Sequence, residues 1–344
     1  MNYLPYGTYP PQYPGYQVTP PDPYQESVRL MRKRSNAIGW TLCGFLVFSF
    51  VASFMVSMGV SFMGVPYQEQ YADFGGLSPE LYFWMIGLVY ILSLFLPFLI
   101  LGCASREPMS QLLTFEKLHP LDFLLSILFG FGVCLAANIP TNVIVTFIQS
   151  MGFSGQMPSY PETDHTGANL LYVTVIAILA PFFEEFVFRG VILGKLRRFG
   201  NGIAIFGSAI AFGMFHGNFI QIPFAFLCGL ALGYIVVRTG SLWASVLVHF
   251  LNNSFSVFQE FWSKSADPET YYLISGNLMI AIMGIGLVCG ICLLLTRKKH
   301  AAPQPPEAQI PVSRRVGAFF LSPGMILFLL LSIAQAVQVL IEMG

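Results

Sequence analysis

Apolar residues along this chain fall into long runs separated by short polar breaks. A helix that crosses a bilayer needs about 20 predominantly apolar residues. Runs of that order lie at roughly 37–63, 82–103, 121–148, 168–188, 201–219, 222–238, 241–258, 272–296 and 317–341. The breaks between 201 and 258 are very short, so eight spans is the alternative to nine. The predicted fold is all-α: a polytopic transmembrane helix bundle of about 8–9 spans, preceded by a polar tail.

The tail differs from everything after it. YPPQYPGYQVTPPDPY (9–24) is rich in Pro and Tyr and nearly free of aliphatic residues, so it cannot bury a core. Residues 1–36 are expected to be disordered. They form a solvated arm or, alternatively, a ligand for a Pro- or Tyr-binding partner. The expected organisation is this tail (1–36), N-terminal membrane helices (37–164), a central segment (165–258) and C-terminal membrane helices (259–344). No cleavable signal peptide is expected, because the first apolar run is too long for a signal h-region.

Charge sets the orientation. Arg29, Arg32, Lys33 and Arg34 abut the first span. Alternate connections then carry Arg106 and Lys117; Lys195, Arg197 and Arg198; Arg238; and Arg297, Lys298, Lys299, Arg314 and Arg315. The other set of connections carries only Lys264. Basic residues accumulate on the cytoplasmic side, so the tail is expected in the cytoplasm of a multi-pass cell-membrane protein, with the 64–81 and 149–167 loops outside. Composition agrees: 55% of residues are hydrophobic and 10% charged, against roughly 25% charged in a soluble domain. Net charge is zero, so no bulk field attracts nucleic acid, and the partner the composition implies is the lipid bilayer. The six cysteines lie in apolar runs without a CxxC and read as small buried hydrophobes rather than a disulfide framework.

An ionisable group inside a membrane is costly and marks function by default. The apolar runs contain Glu184, Glu185, Arg189, His216 and His249, within PFFEEFVFRG (181–190), AFGMFHGN (211–218) and LVHFLNN (247–253). Glu185 and Arg189 are four apart and can pair on one helical face. Glu184 points about 100° away and has no local cation, which leaves it as the carboxylate free to act. Phe212 and His216 share the same spacing, as do His249 and Asn253. An imidazole and an amide one turn apart can aim two donors at one oxyanion; Asn252 faces elsewhere. Together these residues supply a carboxylate and an imidazole to deprotonate water, and two donors for a tetrahedral intermediate. No Ser or Cys nucleophile is evident. The plainer alternative is a polar network that merely locks four helices together.

These motifs resemble those of the CPBP intramembrane proteases, which include the CAAX prenyl endopeptidases and the bacteriocin-processing or Abi proteins. EEFVFR (184–189) is similar to the family's EExxxR, FGMFH (212–216) to FxxxH, and HFLNN (249–253) to HxxxN; TGSLW (239–243) also looks typical. The resemblance covers roughly 165–258. It implies an endopeptidase acting on a membrane-associated protein or peptide, with Glu184 and His216 activating water, His249 and Asn253 forming the oxyanion hole, and Glu185, Arg189 and Phe212 in support. No cofactor is expected, since the HExxH spacing of a zinc helix is lacking; zinc held by His216, His249 and Glu184 is the alternative. Two other functions remain open. One is a catalytically silent scaffold or immunity factor. The other is a proton-coupled transporter, for which the internal repeats that often mark transporters are not visible.

The spans pose one geometric condition. They put Glu184 near the cytoplasmic end of its helix and His216 near the far end of the next. The two meet only if the first helix runs on past Arg189 into VILGKLRRF (191–199), or if the second starts deeper in the cytoplasm.

Overall fold

A computed structural model describes residues 22, 24–104, 108–155, 160–296 and 310–343. Residues 1–21 and 23 of the expected tail, Arg106, and the 297–309 stretch with Arg297, Lys298 and Lys299 lie outside the described residues.

Each of the nine apolar segments coincides with helix. They are α1 (Gln25–Phe62), α2 (Pro79–Cys103), α3 (Pro120–Ser150, interrupted at Ala137), α4 (Thr166–Arg197), α5 (Asn201–Phe215), α6 (Gln221–Thr239), α7 (Leu242–Ser265), α8 (Pro268–Leu295) and α9 (Pro323–Glu342). Among the described residues, seven helices are long and apolar enough to cross a membrane. Of the other two, α5 has 15 residues, about 22 Å at 1.5 Å per residue, which falls short of a hydrocarbon core of about 30 Å. The other, α7, carries the polar stripe described below. The chain is thus a polytopic helical bundle, as the apolar pattern predicts.

One expectation needs correction. Residues 25–36 are the first turns of α1, not part of a disordered tail. QESVRLMRKR is made of good helix formers. Its Met31 is fully buried, and Arg34 Nη1 donates to the Lys195 carbonyl at 2.9 Å. Averaging composition over the Pro/Tyr-rich stretch hid this segment.

Lipid gives helices no hydrophobic reason to associate, so close packing must do it. Gly39 of α1 meets Gly324 of α9, and Gly132 of α3 meets Gly286 of α8, so closely that a methyl group on any of them would collide with the opposing backbone.

The two ends of the bundle differ. At one end Arg34 and Arg198 lie beside the Phe199 ring, and Arg315 donates to the Phe199 carbonyl at 2.7 Å. At the other end Lys264 pairs with Glu162 and Glu260, His165 contacts Tyr71 and Glu80, and the Ser154 amide bonds the Met343 carbonyl. Among the described residues, Arg34, Arg198 and Arg315 thus gather at the first end, and Lys264 lies at the second.

Candidate active site

The site is built around α4, which does not stop at Arg189 but continues to Arg197. Glu184 is therefore mid-helix. The short α5 brings His216 to a similar depth, and the geometric condition posed by the spans is met.

Regular α-turns fail twice along α4. π-helical turns at Thr174–Leu179 and Phe186–Ile192 flank the regular turn Ala180–Glu185. Pro181 accounts for part of this. It has no N–H to give, so in the wider π register the carbonyl five residues back, that of Ile176, loses its partner. Asn253 Nδ2 of α7 supplies the missing donor at 3.0 Å. Asn252, which is buried, donates to Asn253 Oδ1 at 3.3 Å and so fixes which way that amide faces. The pair of asparagines thus holds α7 against the wound-out turn of α4.

The two glutamates occupy different surroundings. Glu185 is completely buried, and its Oε1 lies 2.9 Å from Arg189 Nη1 and 2.9 Å from His249 Nδ1. The Arg189 guanidinium lies 4.2 Å from the centroid of the Phe212 ring. Among the described groups its N–H bonds are not well aligned on any acceptor, so charge and the ring face hold it. Glu184 faces a cavity. Its Oε1 accepts a hydrogen bond from the Tyr90 hydroxyl of α2, and its Oε2 lies 3.7 Å from His249 Nε2. That separation is too long for a direct hydrogen bond.

Hydrogen bonds assign the imidazole nitrogens. His216 Nδ1 lies 2.8 Å from the Phe212 carbonyl, which can only accept, so Nδ1 carries a proton, and in the neutral ring Nε2 keeps its lone pair. His249 gives Nδ1–H to Glu185. Its Nε2 is then an acceptor in the neutral ring and a second donor in the imidazolium. Phe212 spaces the two rings, meeting His216 edge-on at 4.9 Å and His249 at 5.6 Å between centroids.

Glu184, Phe212, His216, His249, Asn252 and Asn253 line one cavity of about 1260 Å³, with Tyr90 beside them. Glu185 and Arg189 lie behind its wall. The four residues expected to act are brought together; the supporting ion pair sits where it can orient His249 without touching a ligand. Tyr90 escaped the sequence reading. It sits in an apolar run with no spacing relation to the motifs, and a tyrosine in a membrane helix is no signal by itself. The second partner of Glu185, His249, was equally invisible, because 64 residues separate them.

A zinc ion would need three converging donors. Among the described residues no three His, Cys, Asp or Glu side chains form such a group.

Residues 166–255 match the profile of a family described as Type II CAAX prenyl endopeptidase Rce1-like. The chain is 29% identical over 141 residues to the membrane-embedded CAAX protease MroQ of Staphylococcus aureus (strain USA300), a match covering 38% of this chain and 55% of that protein. It is 27% identical over 151 residues to the putative membrane peptidase YdiL of Bacillus subtilis (strain 168), covering 40% and 60%. The match spans little more than half the length of these relatives. No solved structure matches the chain. All three motifs, at 184–189, 212–216 and 249–253, lie inside the matched segment.

Proposed function

With a CAAX-endopeptidase-like core at 166–255 as premise, we propose that the chain is an intramembrane endopeptidase that hydrolyses a peptide bond of a membrane-associated substrate without a metal. The observation that carries this reading is the convergence of Glu184, His216, His249 and Asn253 on one cavity.

In the proposed reaction a water lies between Glu184 and the imidazoles. Glu184 accepts one of its protons, and the lone pair of His216 Nε2 holds the water in line with the scissile carbonyl. As the water oxygen bonds to the carbonyl carbon, negative charge builds on the carbonyl oxygen. The second N–H of Asn253, the one not given to Ile176, stabilises that charge, as does His249 when its Nε2 is protonated. The intermediate collapses by breaking the carbon–nitrogen bond, and the proton held by Glu184 passes to the departing amine. The Tyr90 hydroxyl keeps the Glu184 carboxylate aimed at the water. Glu185 orients His249 through Nδ1, and Arg189 offsets the buried charge of Glu185.

Replacing Glu184 with Gln keeps the shape and removes the base. Purified Glu184→Gln should fold like the wild type and lose hydrolysis of a membrane-peptide substrate. Normal turnover by that variant would refute the protease reading in favour of a silent scaffold or another activity.

A further inference from the structure

The lining of the cavity runs from the catalytic groups towards one end of the bundle. Along α7 its lining follows a stripe from His249 through Asn253, Ser256 and Glu260, eleven residues or about 16 Å. The stripe climbs away from the basic end, where α7 begins, and towards the end carrying Lys264. Other helices repeat the direction. Gly155 and Tyr160, in the connection between α3 and α4, line the cavity. So does Gln338, near the end of α9 that meets Ser154.

In the opposite direction the route is filled. Ile192, Leu196, Phe199, Leu242 and Phe319 are buried and belong to one packed cluster between the cavity floor and the basic end.

The reason for this asymmetry is the short α5. Its turn into α6 sits beside Gln335, against which Gly217 packs. Gln335 is seven residues before the end of α9, about 10 Å along the axis. The α5–α6 hairpin therefore stops short of the poorly basic end, and the space it leaves is the upper part of the cavity.

Positive residues mark the cytoplasmic side, and here they mark the closed end. We propose that the site takes its substrate from the extracytoplasmic side: a peptide segment exposed at the outer leaflet passes Tyr160 and Glu260 and descends to Glu184. The fate of that segment, hydrolysis, rests on the function proposed above; the route does not. Substrates of this class are exported or membrane-anchored chains whose scissile segment has already crossed the membrane.

Thiol accessibility tests the route. Single substitutions Gln70→Cys (open end), Ser313→Cys (basic end) and Ser256→Cys (cavity wall) are made in the full-length chain, with the unsubstituted chain as the blank for its own cysteines. Each is treated with a membrane-impermeant maleimide, once in intact cells and once in inverted vesicles. Ser53→Cys, also on the cavity wall, replaces Ser256→Cys if the latter folds poorly. The expected result is labelling of Gln70→Cys and Ser256→Cys in intact cells, and of Ser313→Cys in inverted vesicles alone. Labelling of Ser256→Cys only in inverted vesicles overturns the proposal, whether Gln70→Cys accompanies it (reversed orientation) or not (opening at the basic end). Failure of Ser256→Cys to label from either side overturns it as well. Labelling requires no turnover. If the pattern is as expected while Glu184→Gln still hydrolyses substrate, the protease reading falls and the route stands.

Discussion

Replacing Glu185 with Gln separates the role of the buried ion pair from that of the neighbouring Glu184. The substitution keeps the size of the side chain but removes the charge facing Arg189 Nη1 at 2.9 Å, at a position with no exposure. Breaking one half of a buried pair costs about 3–5 kcal/mol, because the remaining charge is left uncompensated. The Phe212 ring face stays in contact with the guanidinium in both forms, so it softens the loss without cancelling it. The carbonyl oxygen of Gln can still accept from both His249 Nδ1 and Arg189 Nη1, which meet the same oxygen of Glu185, but it does so without the charge. A loss of about 3 kcal/mol is a large part of the 5–15 kcal/mol typical of a folded domain. It should appear as a clear drop in melting temperature and folded yield in detergent. The double variant Glu185→Gln/Arg189→Met removes the stranded charge and should recover most of that stability, giving a coupling energy of about 2 kcal/mol or more. Both variants should still be poor catalysts, because His249 loses its carboxylate orienter. The measurement is thermal unfolding of wild type, both single variants and the double variant, with Glu184→Gln as the control expected to melt like wild type. A Glu185→Gln melting curve that coincides with wild type, or a double variant no better than the single one, would refute the argument that a buried charge pair props up the site.

The other predictions concern the groups that touch the reaction. Tyr90→Phe removes a hydrogen bond to a charged group, worth about 1.5–3 kcal/mol, and should lower kcat roughly 10–100-fold with little change in KM; an unaltered kcat would sever Tyr90 from catalysis. Asn253→Ala should cost about 10²–10³ in kcat as an oxyanion donor. It should also lower stability by about 1–3 kcal/mol, because the Ile176 carbonyl loses its partner. Asn252→Ala, which only steadies its neighbour, should stay within about tenfold of wild type. If both substitutions cost the same, the assignment of Asn253 to the oxyanion is wrong. Strong chelators should leave the wild-type rate unchanged. One zinc per active chain, lost and regained together with activity, would overturn the metal-free mechanism while leaving the protease reading intact.

Much of this molecule follows from one-dimensional pattern. Nine apolar runs give nine helical segments because lipid forces every backbone polar group to be satisfied within its own segment. A run of apolar residues in a membrane has little choice but helix. Spacing within one helix is equally legible, and Glu185 with Arg189 is paired in three dimensions at the four-residue separation that brings side chains together on a helix. The short polar motifs stand out because ionisable groups are rare in such runs; that rarity marks Glu184, His216 and His249, and the four-residue spacing from His249 marks Asn253. What crosses from helix to helix could not be read this way. Tyr90 meets Glu184 across 94 residues of chain, and His249 meets Glu185 across 64. Neither contact leaves a periodic trace, because it depends on which faces of α2, α4 and α7 the packing turns toward each other. The π turns around Pro181 shift the faces of α4 away from where a regular 3.6-residue count would put them, and the amide of Asn253 answers to that shift. The cavity is likewise a property of the bundle. It exists because α5 is too short to fill the space its neighbours enclose, and its open end is decided by where that hairpin stops, a length that acquires meaning only beside the longer helices packed around it.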